Sequence, residues 1–174
     1  MSELSGGAWL VADFFVHSYR MSGHLDVRHK KLADQLNDRT TAFLSLENVY
    51  VSSIERPADI VVSYPSSILR KSNVIAVVVA RQEDGLSREQ TYGSYLGVYL
   101  RDVFITVPFF EIEGNLRLSG RADLRTVLTT GTSEFVSVLD GQMRSSVHPD
   151  VVFSGAVILV NRAHIGAFWI EEGG

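Results

Sequence analysis

No cysteine stands anywhere in the 174 residues. Its absence excludes disulfides, thiolate metal sites and a cysteine nucleophile, and it fits a reducing compartment. Positive charge is also scarce. The 16 Lys and Arg stand against 20 Asp and Glu, for a formal net charge of -4, so the chain as a whole exerts no pull on phosphate backbones or anionic membranes. Long apolar runs are missing too. None approaches the roughly 18 residues that a membrane helix needs. The N-terminal stretch MSELSGGAWLVADFF places Glu3 before a short apolar segment, whereas a secretory signal has a basic start and a longer apolar centre. The expectation is a soluble, cytoplasmic protein that touches no membrane. The phosphate loop Gly-x-x-x-x-Gly-Lys, the dinucleotide Gly-x-Gly-x-x-Gly, His-Glu-x-x-His and the Gly-x-Ser-x-Gly elbow are all absent. No cofactor is implied, and the balance leans away from an enzyme.

What is present is enough apolar residue to build a core: 45% hydrophobic and 21% charged, near the globular average. The length suits one ordinary domain or two small ones, and an internal repeat favours two. Phe14 to Val27 (FFVHSYRMSGHLDV) lies beside Ile105 to Leu118 (ITVPFFEIEGNLRL), so that Gly23 falls on Gly114, Leu25 on Leu116 and Met21 on Ile112. Next come leucines four apart, Leu32 and Leu36, then Leu124 and Leu128. Phe43-Leu44-Ser45-Leu46 matches Phe135-Val136-Ser137-Val138, and a Ser-Ser pair follows in each half. Each half then ends on an expected apolar hairpin, with turns at Lys71-Ser72-Asn73 and Asn161-Arg162-Ala163. Self-similarity held in order over such a length points to tandem duplication.

The reading is a mainly β (α+β) fold of two tandem, small, curved β-sheet or β-barrel units, each with one short helix. The units span residues 1–80 and 94–174, joined by a polar linker at 81–93. Phe14 to Met21 reads as a strand from its β-branched and aromatic content. Gly23 and Gly114 interrupt extended runs and mark bulges or bends. The leucine pairs suit short helices with one buried face, with Gly131 at a left-handed C-terminal cap and Asn37 or Asp38 in that role in the first half. Val74 to Val79 and Val157 to Val160 are apolar on both faces, so both faces need cover. That implies an intimate interface between the halves, a homo-oligomer, or both. Within the linker, Ser87 and Gln90 have capping-box spacing. Pro57 and Pro65 bracket an irregular region, and Pro149 marks the matching turn.

The segment Met21-Ser22-Gly23-His24-Leu25 with Leu32 to Asn37, and Ile112-Glu113-Gly114-Asn115-Leu116 with Leu124 to Thr129, resembles a small bacterial family of unknown function. That family carries an Ile-x-Gly-x-Leu strand followed by Leu-x-x-x-Leu-Asn, and Thr129 departs from it. In sheet order the chain also looks like Sm-type small β-barrels, a likeness of fold that carries over no site.

Candidate chemistry is sparse. His24, Asp26 and His29 form a local cluster with metal-ligand chemistry, although a solvated strand edge before a basic loop explains them as well. Their counterparts are Asn115, Arg117 and Gly120. Arg28, Lys30 and Lys31, with His29, make a basic run at a helix start where an anion or RNA phosphate would bind. A solvated turn is the plainer account. Tyr92, Tyr95 and Tyr99 offer stacking platforms but suit a core or interface. Ser146, His148 and Asp150 read as a triad in one line, yet a working triad converges from separate elements. Asp13 is either a buried acid or the wet face of its strand. The sequence therefore points first to a non-catalytic binding or assembly module that forms a homo-oligomer. RNA or anion binding and a metal-dependent enzyme stand behind it.

Overall fold

In the computed structural model, which describes residues 9–87, 90, 98–119, 124–130 and 133–170, the segments rich in Val, Ile, Phe and Tyr are strands, as their packing preference dictates. In chain order they are β1 (Trp9–Val16), β2 (Tyr19–Asp26), β3 (Phe43–Ser53), β4 (Arg56–Arg70), β5 (Val74–Val79), β6 (Val98–Val107), β7 (Phe110–Ser119), β8 (Phe135–Ser145), β9 (Val152–Asn161) and β10 (Ala167–Ile170). The described helices are short: α1 (Leu32–Asn37), α2 (Gln82–Gly85) and α3 (Leu124–Thr130), with 3-10 turns at Lys71–Asn73 and Arg162–His164. No helix among the described residues is long and apolar enough to cross a membrane.

All ten strands join one antiparallel sheet, which does not close, in the order β10-β6-β7-β8-β9-β5-β1-β2-β3-β4. Residues 9–79 supply the run β5-β1-β2-β3-β4, and residues 98–170 supply β10-β6-β7-β8-β9, the same succession twice. The runs meet where β9 lies along β5, with Ala76, Val77, Val78 and Val79 opposite Val160, Leu159, Ile158 and Val157. The glycines sit at equal places. Gly23 faces Ala12 and Gly114 faces Val103, and each has a break in register on its other side, against β3 and β8. Asn48 and Asp140, in those breaks, have φ of 50° and 47°. The expected bulges are therefore present.

Core packing crosses the meeting line. Leu32 and Leu36 of α1 are buried with Phe14, Leu25 and Leu46, and this cluster also takes Val157, Leu159, Phe135 and Leu139 from the other half. The second cluster, around Ile105, Phe110, Ile112 and Met143, takes Ala76 and Val78 of β5 and Phe15 of β1. Every residue of β5 is buried, so its continuous apolar run does have both faces covered.

Four expectations need correction. The closing hairpins are not formed: β4 pairs with β3 and β5 with β1, while β9 pairs with β8 and β10 with β6. β5 has both margins filled, by β1 and β9, and β9 by β8 and β5, so neither has a margin left for its chain neighbour. The second turn is Arg162–His164, and Asn161 precedes it as a cap, accepting from the Ala163 N–H at 3.0 Å. Pro57 and Pro65 lie inside β4, an outermost strand, and neither has a register partner on β3; such a strand accepts proline where the N–H would face away from its neighbour. Asp38 ends α1 in an extended conformation (φ -74°) and not a left-handed one. Gly131 lies outside the described residues.

The stretch 81–93 begins in contact with the core. Leu86 is buried in the first cluster, and a Cβ on Gly85 would come 2.5 Å from Val157, so the first part of the stretch is packed. The capping box is formed: the Ser87 N–H donates to Gln90 Oε1 at 2.9 Å, and the Gln90 N–H to Ser87 Oγ at 3.0 Å. Residues 88–89 and 91–93 lie outside the described residues.

Candidate functional site

The short connection from β2 to α1 carries most of the side chains that the sequence singles out. His24 lies half-buried on β2, opposite Val11 and Glu47. Asp26 ends that strand and turns to Arg28: the Arg28 guanidinium donates to its carboxylate at 2.6 Å, and the Arg28 backbone N–H at 3.0 Å. His29 is exposed. Among the described residues no three His, Asp or Glu side chains gather as a metal-binding set.

The Arg28 hydrogen bonds hold the Asp26 carboxyl at about 2, against an ordinary 3.8. A carboxyl lowered in this way adds stability above its unfolded value and loses it as pH falls through the folded one, here between 3.8 and about 2. Replacing Arg28 with alanine is expected to return the Asp26 midpoint toward 3.8, followed by the side-chain carboxyl carbon shift in an NMR titration. An unchanged midpoint would rule out the Arg28 contact as the cause.

The basic run is likewise engaged. Lys30 pairs with Asp38 at 2.7 Å, and its ammonium, with the Thr40 hydroxyl and N–H, holds that carboxyl well below the usual range. Lys31 Nζ donates to the Glu83 carbonyl at 3.2 Å. Arg28, Lys30 and Lys31 are thus each held by a different neighbour, at the start of a helix only six residues long.

Other candidates resolve into structural contacts. Asp13 is half-buried; its carboxylate accepts from Arg20 Nη2 at 2.9 Å and from the Ser22 hydroxyl. Arg20 reaches on to the Pro57 carbonyl and lies 5.4 Å from the Phe153 ring centroid, tying β2 to β4 and β9. Tyr99 packs against the second core cluster with Arg101 over its ring; Tyr92 and Tyr95 lie outside the described residues. Ser146, His148 and Asp150 belong to the exposed turn before β9, where the Val151 N–H closes onto the His148 carbonyl at 2.9 Å. The His148 imidazole lies 3.6 Å from Glu55.

Sequence reasoning missed two features. One is a cavity of about 380 Å³ on the line between the halves, lined by Leu36, Arg39, Lys71, Glu134, Phe135 and Asn161 among others. Lys71 is buried there, donating to the Asp38 carbonyl at 3.0 Å and the Thr41 hydroxyl at 2.6 Å, and burial pushes its ammonium down. Asn161 donates to the Val74 carbonyl at 2.9 Å, Asn37 Oδ1 accepts from the Phe135 N–H at 2.8 Å, and Arg39 meets Glu134 at 2.7 Å. Polar groups therefore fasten the halves around the β9–β5 pairing.

The second missed feature is what the sheet leaves open. β4 borders the sheet along 15 residues and exposes Ile60, Val61, Val62, Tyr64 and Ile68. At the far margin β10 pairs, among the described strands, with β6 alone and exposes Trp169, whose ring packs edge-on against Phe104. Beside it an open cleft of about 560 Å³ is lined by Asp102, Glu113, Asn115, Asp140 and Gln142 with those two rings. The signal for β4 was available in the sequence, since no charged residue occurs from Ile60 to Leu69.

No protein-family model, no curated protein and no solved structure matches the chain.

Proposed function

We propose that the chain is a tandem of two related, strongly curved β-units that serves as a non-catalytic assembly module, joining copies of itself through its open sheet margins. The observation that carries this reading is β4. Natural outermost strands are blunted by charge, proline, bulges, shortness or cover, because an open row of backbone N–H and C=O groups recruits another strand; β4 has Pro57, Pro65 and register breaks opposite Ser52, yet its Ser66–Leu69 stretch carries no charge, proline or register break. Here the margin is long, uncharged between Ile60 and Leu69, and apolar on its surface. An exposed apolar stretch of this kind marks an interaction surface.

The tandem reading is supported by the repeated strand succession and by the equal placement of Gly23 and Gly114, Asn48 and Asp140, and the two 3-10 turns. Within each half the succession also resembles that of Sm-type barrels. The basic run gives RNA or anion binding no added support, since its cations are already matched by Asp26, Asp38 and the Glu83 carbonyl.

Native mass spectrometry at moderate salt tests the proposal. Discrete multiples of the 19.3 kDa chain are expected. A strict monomer throughout the micromolar range would remove it.

A further inference from the structure

We infer that β10 of one copy lies antiparallel along β4 of the next, with Ala167, Phe168, Trp169 and Ile170 opposite Leu69, Ile68, Ser67 and Ser66. This rests on the self-association reading above and names the partner surface: a second copy, joined head to tail.

The template for this contact lies inside the chain, at β9 and β5. Registers fix which residues correspond. Phe14 faces Val77 across β1 and β5, two positions from the Ala12–Gly23 pair. Ile105 faces Phe168 across β6 and β10, two positions from the Val103–Gly114 pair. Phe168 therefore stands where Val77 stands. On the other side, Phe135 faces Asn161 and Val136 faces Val160, while Phe43 faces Arg70 and Leu44 faces Leu69. Leu69 therefore stands where Val160 stands, and Ile68 where Leu159 stands. Inside the chain Val77 lies opposite Leu159, so the same joint between copies sets Phe168 opposite Ile68.

Burial marks the same surface. Phe135 and Leu159, covered by the first half, are 4% and 0% exposed, whereas their counterparts Phe43 and Ile68 are 48% and 69% exposed. Both remain large and apolar, although among the described residues Phe43 has the Arg70 guanidinium over its ring and no comparable apolar cover. The lengths match as well: four residues of β9 pair with β5, and β10 has four. Pro65 falls just outside the Ser66–Leu69 stretch, so its missing N–H removes no bond from the joint. A contact between two different margins is heterologous, and each copy presents the same two margins again. It closes into a ring or grows into a filament according to the rotation between copies.

The absence of native cysteine makes disulfide trapping clean, because every thiol is an introduced one. Directly opposed positions fall within the Cα separation that a disulfide spans, about 4.4–6.8 Å. Trp169→Cys and Ser67→Cys proteins are prepared separately, mixed and oxidised. A band at twice 19.3 kDa on a non-reducing gel is expected from the mixture and not from either protein alone. Phe168→Cys with Ile68→Cys is expected to behave alike. Trp169→Cys with Ile68→Cys, on opposite faces, is expected to give no band. Linking of Ser67→Cys or Ile68→Cys alone, as strongly as the mixtures, would show β4 against β4 and overturn the pairing. Oligomers in the native mass spectrum with no linking of either opposed pair would also overturn it while leaving self-association standing. A monomeric native spectrum overturns both.

Discussion

Replacing Phe15 with alanine is expected to destabilise the protein by about 3–5 kcal/mol, and to do so in both halves at once. Phe15 belongs to β1 but is fully buried in the cluster of the second half, 5.4 Å from the Phe110 ring and 4.7 Å from the Phe153 ring, edge-on to both. Deleting the ring leaves a cavity between elements that reach it from both halves, so one loss weakens both halves of the sheet. The tryptophans supply a local reading: Trp9 opens β1 and Trp169 lies in β10. Single-tryptophan versions, unfolded in denaturant, are expected to show coincident transitions, both shifted by the substitution. Two separated transitions, with only the Trp169 signal moved, would mean that the halves unfold independently.

The glycines at the bulges are expected to differ sharply despite their equal positions. Neither has a φ in the left-handed region, so the backbone at each suits other residues, and alanine gains roughly 0.4–1 kcal/mol by restricting the unfolded chain. Space decides the rest. A Cβ on Gly114 would lie 2.5 Å from Val138 Cγ1 and 2.7 Å from the Leu139 carbonyl oxygen. The oxygen is backbone and cannot rotate away. Gly114→Ala is therefore expected to cost about 1–3 kcal/mol through strand displacement. The three atoms nearest a Cβ on Gly23 are Leu46 Cβ and Cδ1 and Val49 Cγ2, each at 3.3 Å, an overlap that shifts of a few tenths of an ångström relieve, and Gly23→Ala is expected to change stability by less than about 1 kcal/mol. Equal losses at the two sites in urea unfolding would contradict the space-based account.

These particulars show what the sequence made legible. Gly23 and Gly114, the buried Leu32 and Leu36, and the capping pair Ser87 and Gln90 were readable because each is a local pattern whose cause lies within a few residues. The covered faces of Val74 to Val79 were readable for the same reason. Their neighbours were not: an apolar run reveals that both faces are buried but not which strand lies alongside, so a hairpin with β4 was expected where β9 is found. Pro65 misled because proline argues against a strand only when both margins are bonded, and the position of β4 at the border depends on the whole sheet. The cavity around Lys71 draws residues from both halves, and no short stretch announces it. The basic run looked available because Asp26, Asp38 and Glu83 meet it only after folding.

The crossing of the halves at β9 and β5 also sets an order of events during synthesis. Translation runs from the N-terminus, and β1 to β5 emerge well before Val157 and Leu159, which fill the first core cluster. Until β9 leaves the ribosome, the margin of β5 and the pocket around Val77 and Val79 stay open to water and to other nascent chains. The first half must therefore wait for the second, and a chain interrupted between Val79 and Val152 is left with a bare, wholly apolar strand, the kind of template on which aggregates begin.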